Sequence, residues 1–462
     1  MKMFHPGIAG TLMQTVHNRL TFLFLLVSLC LLPGCGGSPM DVSDVNVLNE
    51  AAKKDKNFFN GKKILDARLN GLKDGSYGVV LEDMTIRNLT INNVQMWRAY
   101  FKNVTFVDCT FVKVDFWDSK FENVKFIRGS ISGDKKPNPV DYSEEYQTKL
   151  DRVRINRLLF DGVEIGRSVH INFVGDADQG GGIVVMRNVT VSSREKHTAW
   201  LLGGIDLHVR IDNCVVEDQY GVNVRGQNSS AYVTNSRFTN AGIKLAGKVV
   251  WLENCTLKRC GPLTATIVVV RNCRLEGVGV GVEEDGERYF LVKNTFTNAK
   301  HQLAVSLLPA REYTTRDNAH LYFYADGHIP GRVRVNSGNV HIYDAEIDEL
   351  TMHQQQLLTR PMASLNLQNV KIGKGDWERG TLHAGKWENV RLGKPIDLNK
   401  AIIGPIIGHK VEFPNGYPWI HGHLDITNSP TPLEFDKPPV PTLEELGLAQ
   451  FWKEHDFPVE QY

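Results

Sequence analysis

The 462-residue chain has an ordinary globular composition, with 42% hydrophobic and 23% charged residues, which excludes a disordered chain and one embedded throughout in a membrane. Its 53 basic residues are balanced by 52 acidic ones, for a net charge of +1. Since no excess charge is available to attract nucleic acid or an acidic polymer, we expect no nucleic-acid partner.

The N-terminal segment has the pattern of an export signal. Residues 20–32, "LTFLFLLVSLCLL", form an apolar run that is too short to span a bilayer but suits the core of a signal peptide. The run leads into "LPGCGG", which resembles the lipobox of bacterial lipoproteins. The resemblance implies that residues 1–34 are a cleaved signal peptide and that Cys35 carries lipid, including an acyl chain such as palmitate. It also implies that Gly36 favours sorting to the outer membrane, on a face that the sequence does not specify.

A helix is predicted after the lipidated linker. Residues 41–61, "DVSDVNVLNEAAKKDKNFFNG", combine early Ser and Asp residues with a helix-favouring middle and a final glycine as a stop signal. We therefore expect residues 35–62 to form a linker and a capping helix.

The next segment has large apolar residues at every fifth position. The phenylalanines of the series are Phe101, Phe106, Phe111, Phe116, Phe121 and Phe126, and Leu81, Ile86, Ile91, Met96 and Ile131 extend it. This period fits neither a helix nor a simple strand. It resembles the pentapeptide-repeat family, which implies a square right-handed β-helix over residues 63–135, with each large side chain inward and stacked on the next coil.

Residues 136–429 contain a looser repeat. Short strands lead into asparagines at positions 188, 213, 235, 254, 272 and 294, and Gly-led strands such as "YGVNVRG" and "AGIKLAG" recur between them. The repeat resembles that of the pectate-lyase-like superfamily, which implies a right-handed parallel β-helix with stacked corner asparagines that satisfy backbone groups. The predicted fold is therefore an all-β solenoid with square coils at its N-terminal end.

The Gly-led strands supply a candidate catalytic row. If Ile205, Leu207, Val222, Val224, Ile243 and Leu245 point inward, the outward residues are Asp206, His208, Asn223, Arg225 and Lys244. An acid, a base and a cation in such a row could abstract a proton beside a uronate carboxylate. The alternative is that these residues are the ordinary polar surface of a solvated sheet.

Three weaker candidate sites each have a structural alternative. Asp176 and Asp178 could bind calcium or belong to a glycine turn. His421, His423 and Asp425 would share one face of a strand and could bind a first-row metal, although no further ligand is evident. The tryptophans could stack on sugars or fill turns: Trp97, Trp117, Trp200 and Trp251. We predict no cofactor.

The last segment and the cysteines give two further expectations. Residues 430–462 are proline-rich and contain a capping box, Thr442 with Glu445, ahead of a short helix. This tail either folds back over the last coil or extends to a partner. Cys255 and Cys273 should be neighbours across one coil step, with Ser236 next in the same row, and either a disulfide or reduced thiols are compatible with that position.

Three functional hypotheses follow from these observations. The first is a non-catalytic, lipid-anchored envelope scaffold that binds a protein or a glycan. The second is a polysaccharide lyase, epimerase or hydrolase that uses the outward row. The third is an immunity protein against an envelope-targeted toxin.

Overall fold

The computed structural model describes residues 39–40, 44–71, 75–134, 147–166, 168–175, 180–192, 202–217, 221–226, 228–261, 263–281, 288–296, 301–306, 319–335, 338–352, 362–378, 380–414 and 419–458. They form a parallel β-solenoid of about 13 turns with two short helices. The predicted all-β solenoid is confirmed. Neither described helix has the length and apolarity needed to cross a membrane.

Helix α1 (Val45–Lys54) covers the N-terminal end of the solenoid. Asp44 is its N-cap, and the side chain accepts a hydrogen bond from the backbone of the first turn at 2.8 Å. Leu48 and Ala52 are buried against the first coils. The Asn49 amide donates to one backbone group of these coils and accepts from another, at 2.9 Å each. The predicted capping helix is therefore present.

The helix ends earlier than the glycine at position 61 suggested. Asp55 is the C-cap and has an extended backbone, with φ −132°. Its carboxylate accepts from the backbone N–H of Asn57 at 2.8 Å, a local bond that competes with continuing the helix.

The first coils are square. Phe101 stands directly beside Phe121 on the next coil, with ring centroids 5.0 Å apart and planes 13° apart, and Phe106 stacks likewise on Phe126 at 5.1 Å. All six phenylalanines are at most 3% exposed. The strands of this region are β1 (Pro39–Met40), β2 (Lys63–Leu65), β3 (Val80–Arg87), β4 (Thr90–Gln95), β5 (Tyr100–Asp115), β6 (Lys120–Glu122) and β7 (Val124–Ser132).

A left-handed residue at each corner produces the period of five. Two positions after each large apolar residue of the five-residue series, the backbone has φ between 44° and 55°. These corner residues are Asp83, Asn88, Asn93, Arg98, Asn103, Asp108, Lys113, Asp118, Asn123 and Arg128. Seven of these ten are Asn or Asp, the non-glycine residues that tolerate this conformation best. The polar residues between the apolar rows therefore turn the chain.

The following coils are larger and have three sheets. Their strands are β8 (Thr148–Ile155), β9 (Arg157–Ile165), β10 (Val169–Gly175), β11 (Gly182–Arg187), β12 (Thr190–Ser192), β13 (Leu202–Ile205), β14 (Leu207–Asp212), β15 (Val215–Glu217), β16 (Gly221–Arg225), β17 (Ser230–Thr234), β18 (Arg237–Thr239), β19 (Gly242–Ala246), β20 (Val249–Glu253), β21 (Thr256–Lys258), β22 (Leu263–Thr264), β23 (Ile267–Arg271), β24 (Arg274–Glu276), β25 (Val278–Gly281), β26 (Arg288–Val292), β27 (Thr295–Phe296) and β28 (His301–Ser306). Sheet A contains β8, β10, β13, β16, β19, β22, β25 and β28; sheet B contains β9, β11, β14, β17, β20, β23 and β26; sheet C contains β12, β15, β18, β21, β24 and β27.

The last coils are built from longer strands that bend around corners. They are β29 (His320–Val335), β30 (Asn339–Met352), β31 (Met362–Asp376), β32 (Thr381–Leu392), β33 (Ile396–Asp397), β34 (Ile402–Ile403), β35 (Ile406–Glu412), β36 (Trp419–Ile420) and β37 (Ile426–Asn428). The first parts of β29 to β32 continue sheet B, which ends with β35 and β37.

The tail runs along the outside of sheet B and does not fold over the last coil. The Leu433 N–H donates to Glu388 on β32 at 2.9 Å, whereas Asp456 reaches Arg187 on β11. Helix α2 (Leu448–His455) lies near this second contact. The predicted capping box, Thr442 with Glu445, is present, with reciprocal bonds of 2.8 and 3.2 Å.

The cysteine row follows the predicted register. Because Thr256 is paired with Arg274 and Arg237 with Thr256, Cys255 lies beside Cys273, and Ser236 beside Cys255. The Cys255 N–H points to Cys273 Sγ at 3.3 Å, and both thiols are buried and free. They act as small apolar fillers of the core.

The corner asparagines differ from the prediction in two ways. At positions 188, 213, 235, 254 and 272 they have φ between 51° and 56°, so they turn the chain. Asn213 donates to the Asn188 side chain at 2.7 Å, and not to the backbone. At the sixth corner Lys293 takes the left-handed position, and Asn294 falls in the cysteine row. There its amide bonds the backbone N–H of Cys273 and the carbonyl of Val270, at 2.9 Å each.

Candidate binding surfaces

The residues of the predicted catalytic row do not form one row. Asp206 has φ 53° and occupies a corner between β13 and β14. Residues before it therefore belong to sheet A and residues after it to sheet B. Ile205, predicted to point inward, is 48% exposed and stands beside Arg225. Of the predicted row, only Asn223 and Lys244 are direct cross-strand partners.

His208 lies on sheet B under the tail. Its Nε2 is 3.1 Å from the carbonyl oxygen of Gly180, and its Nδ1 is 2.8 Å from Ser230 Oγ. Because a carbonyl can only accept, Nε2 carries the proton and Nδ1 accepts from the serine. Burial lowers the pKa of His208, and its ring lies 4.3 Å from that of Phe451. The imidazole is thus occupied by structural contacts and does not face Arg225 or Lys244.

The histidines near the C-terminal end do not share a strand face. Strand β36 ends at Ile420, and His421 has φ 56°, so the chain turns where the strand was predicted to continue. His421 pairs with Asp397 at 3.3 Å, whereas His423 packs edge-on against Trp419. No cluster of three or more metal-ligand side chains occurs among the residues that the structure describes.

The tryptophans have different environments. Trp97 is 37% exposed, its Nε1 donates to Asp115 at 2.8 Å, and its ring meets that of Trp117 at 5.7 Å. Trp251, a candidate for stacking on sugars, is only 1% exposed because the tail covers sheet B. Cys35, Asp176, Asp178 and Trp200 lie outside the described residues.

An outer hydrophobic core joins sheet B to the tail. Outward residues of many coils take part, and these are Val107, Ile127, Leu159, Ile183, Val185, Val249, Trp251, Val269, Phe290, Val292, Tyr322 and Tyr343. Leu448, Trp452 and Phe457 are the fully buried tail residues of this cluster. Since each surface covers the apolar residues of the other, the tail is a strap along the flank of the solenoid.

Polar contacts fix the tail at both ends of this strap. Near its start, Tyr343 Oη donates to the Asp436 carbonyl at 2.6 Å. Near its end, Asp456 accepts from Arg187 Nη2 at 2.6 Å and from Arg210 Nη1 at 2.5 Å. Arg157 Nη2 donates to the carbonyl oxygens of His455 and Asp456 at 3.1 and 3.2 Å. These three arginines belong to no sequence motif that marks them as a site.

A buried histidine under the strap makes stability depend on pH. Burial lowers the pKa of His341 to about 4, and its ring is stacked 4.8 Å from that of Tyr322. An unfolded histidine has a pKa near 6.5. Because the folded pKa is the lower one, the unfolded chain binds a proton first, and stability falls as pH drops from about 6.5 towards 4.

Urea unfolding of the wild type and of His341→Gln at pH 7 and pH 4.5 measures this contribution. We expect the wild type to lose roughly 2 kcal/mol more than the variant between these pH values. Equal losses in both proteins would show that His341 does not titrate as a buried group.

The last coils of the solenoid carry open strand edges and exposed outward apolar side chains in the described part of the chain. Strands β36 and β37 pair with β33 and β35 on one side and have no described partner on the other. Ile402 is 69% exposed, Ile407 and Ile420 are each 44% exposed, and Phe413 is 39% exposed. These are four of the eight large hydrophobic residues that the described structure exposes. Exposed apolar side chains next to open strand edges are typical of an interaction surface.

The comparisons with known proteins give no functional assignment. No family model and no curated protein matches the chain. Among solved structures it is similar to HetL, a pentapeptide repeat protein involved in heterocyst differentiation regulation from the cyanobacterium Nostoc, with 10% identity and a TM-score of 0.23. The match covers 56% of this chain and 97% of HetL. At these values the likeness carries no argument, and the pentapeptide geometry rests on the stacked phenylalanines and corner residues described above.

Proposed function

We propose that this protein is a lipid-anchored envelope scaffold that binds a protein partner at the C-terminal end of its solenoid. The supporting observation is the difference between the two ends. Helix α1 buries Leu48 and Ala52 at the N-terminal end, whereas Ile402 and Ile420 are exposed at the C-terminal end. A solenoid end normally needs a cap because each coil buries its face only against its neighbours.

The chemistry of this end favours a protein over a glycan. Ile402, Ile407 and Ile420 offer aliphatic surface, and β37 offers an open edge to which an extended segment could add as a strand. Sugars are more often held by exposed aromatic faces. The Trp97–Trp117 pair on the N-terminal coils is a poorer platform, because the two rings meet at 63° and Arg152 lies 6.0 Å from the Trp117 ring.

The lipid anchor would place this end away from the membrane. With the N-terminal cap close to Cys35, about 13 turns of about 4.8 Å each would hold the C-terminal coil roughly 60 Å from the first coil. Among the described residues, Asp206, His208 and Arg225 are not brought together as the acid–base pair that the lyase alternative needs, and no described contact favours the immunity alternative.

Replacing Cys35 by alanine tests the anchor. We expect the variant to lose labelling with palmitate, because it lacks the residue that would carry the lipid. It should also leave the outer-membrane fraction, because lasting attachment needs several acyl chains. A Cys35→Ser variant serves as a second thiol-free control. Unchanged fractionation and labelling of both variants would contradict lipidation at this residue.

Charged substitutions at the C-terminal end test the partner site. Ile402→Asp combined with Ile420→Asp should weaken capture of a cross-linked envelope protein at least tenfold, which corresponds to about 1.4 kcal/mol. Circular dichroism should be unchanged because both side chains are exposed. The matched control is Ile205→Asp on sheet A, where the isoleucine is 48% exposed, close to the 44% of Ile420. This variant should capture the partner normally. Equal capture by all three proteins would refute the site.

A further inference from the structure

The three arginines at the end of the strap have more hydrogen-bond donors than the tail satisfies. Arg157 Nε, Arg187 Nη1 and Arg210 Nε are buried and have no partner in the described structure. The Arg187 side chain is only 10% exposed. Since buried donors without a partner are unfavourable, Asp456 alone is an incomplete ligand for this cluster.

Two nearby carboxylates do not complete the site. Asp161 and Asp212 are cross-strand partners of Arg187. However, Asp161 accepts from the Asn188 side chain at 2.9 Å, and Asp212 accepts from the Thr234 hydroxyl and the Asn235 amide at 2.6 and 3.0 Å. These bonds hold both carboxylates at the corner of the coil.

The same cluster contacts an aromatic ring of the tail. The Phe457 side chain is 3% exposed, and the Arg157 guanidinium lies 4.6 Å from its ring centroid. The carbonyl oxygen of Phe457 accepts from Arg187 Nη2 at 2.5 Å. A carboxylate followed directly by an aromatic residue is therefore the chemical pattern that fits the cluster.

We propose that Arg157, Arg187 and Arg210 form a docking site for an acidic–aromatic segment of a partner protein, and that Asp456 and Phe457 occupy it when the partner is absent. A partner segment that brings a second acceptor within reach of these arginines would satisfy donors that Asp456 leaves unpaired, and would displace the tail. The tail competes as a tethered ligand, at an effective concentration on the order of millimolar. This arginine site is separate from the proposed partner site at the C-terminal end of the solenoid.

Fluorescence anisotropy on the full chain tests the proposal. The probe is a labelled peptide with the sequence of residues 448–458, and the receptor is the Asp456→Ala protein, with Asp456→Asn as an isosteric second receptor. We expect the peptide to bind either variant at least tenfold more tightly than the wild type, whose own carboxylate fills the site.

The controls separate the docking site from simpler alternatives. A peptide with Asp456→Asn, or a receptor that also carries Arg187→Ala, should bind at least tenfold more weakly, whereas adding Arg225→Ala on sheet A should change nothing. Equal binding of the Asp and Asn peptides, or no binding to either variant receptor, would overturn the proposal. Displacement by inorganic phosphate with no effect of Phe457→Ala in the peptide would indicate a free-anion site and would also overturn it.

Discussion

Replacing Phe111 by alanine should lower the free energy of unfolding by about 3–5 kcal/mol. The ring is 2% exposed and lies 5.4 Å from the Phe106 ring and 5.5 Å from the Phe126 ring. The neighbouring coils are fixed by parallel backbone bonds on both sides, so they cannot collapse into the cavity that the substitution leaves.

Urea unfolding of Phe111→Ala beside Lys102→Ala measures this effect. Lys102 is an exposed residue of the same strand, β5, and its substitution should cost less than about 0.5 kcal/mol. Similar unfolding midpoints for the two variants would contradict the inward position of the phenylalanine row.

Replacing Trp251 by alanine should also cost about 3–5 kcal/mol, although this side chain points away from the inner core. Trp251 lies in the outer core with Leu448 and Trp452 of the tail, and it is 1% exposed. The loss therefore occurs only if the tail covers sheet B, since an exposed tryptophan would contribute little.

The matched variant is Trp97→Ala, which removes the same side chain from an exposed position. We expect a cost below about 1.5 kcal/mol, mainly from the lost hydrogen bond to Asp115. Hydrogen exchange adds a second observable, because Trp251→Ala should also speed the exchange of helix α2 amides. A small effect of Trp251→Ala with unchanged exchange would show that the tail is not held by the outer core.

The inner core of the solenoid could be predicted from the sequence because its register is local. The inward position of Phe111 follows from its spacing from Phe106 and Phe116, and the neighbours of Cys255 follow from an 18-residue step between repeats. Each coil contacts mainly the next one, so spacing along the chain determines which side chains stack. The same reasoning misplaced Asn294, because Lys293 takes the corner position there.

The residues of the predicted catalytic row do not share one face because the backbone turns a corner between them. Asp206 adopts the left-handed conformation, and the segment "GGIDLHV" is therefore two strands in different sheets. A strict alternation of inward and outward residues cannot continue through such a corner. The corner aspartates and asparagines of the square coils carry the same signal, so Asp206 could have been recognised as a corner.

The sequence of sheet B indicates that its outer face is covered, although it does not indicate that the tail covers it. "GIVVMR", "VVWLE" and "RYFLV" are nearly continuous apolar runs, which are typical of strands buried on both faces. They indicate that something covers sheet B. Which segment does so could not be deduced, because the contact between Asp456 and Arg187 joins residues 269 positions apart and no local pattern encodes it.

Photo-cross-linking in living cells shows directly where a partner contacts the solenoid. A photoreactive phenylalanine analogue is incorporated in place of Ile402, Ile420 or Ile205, one position at a time, and adducts are identified by mass spectrometry. The proposed partner site predicts an adduct with the same envelope protein from Ile402 and from Ile420, and none from Ile205 on sheet A. Adducts from Ile205 as strong as those from Ile402, or none from either C-terminal position, would contradict it.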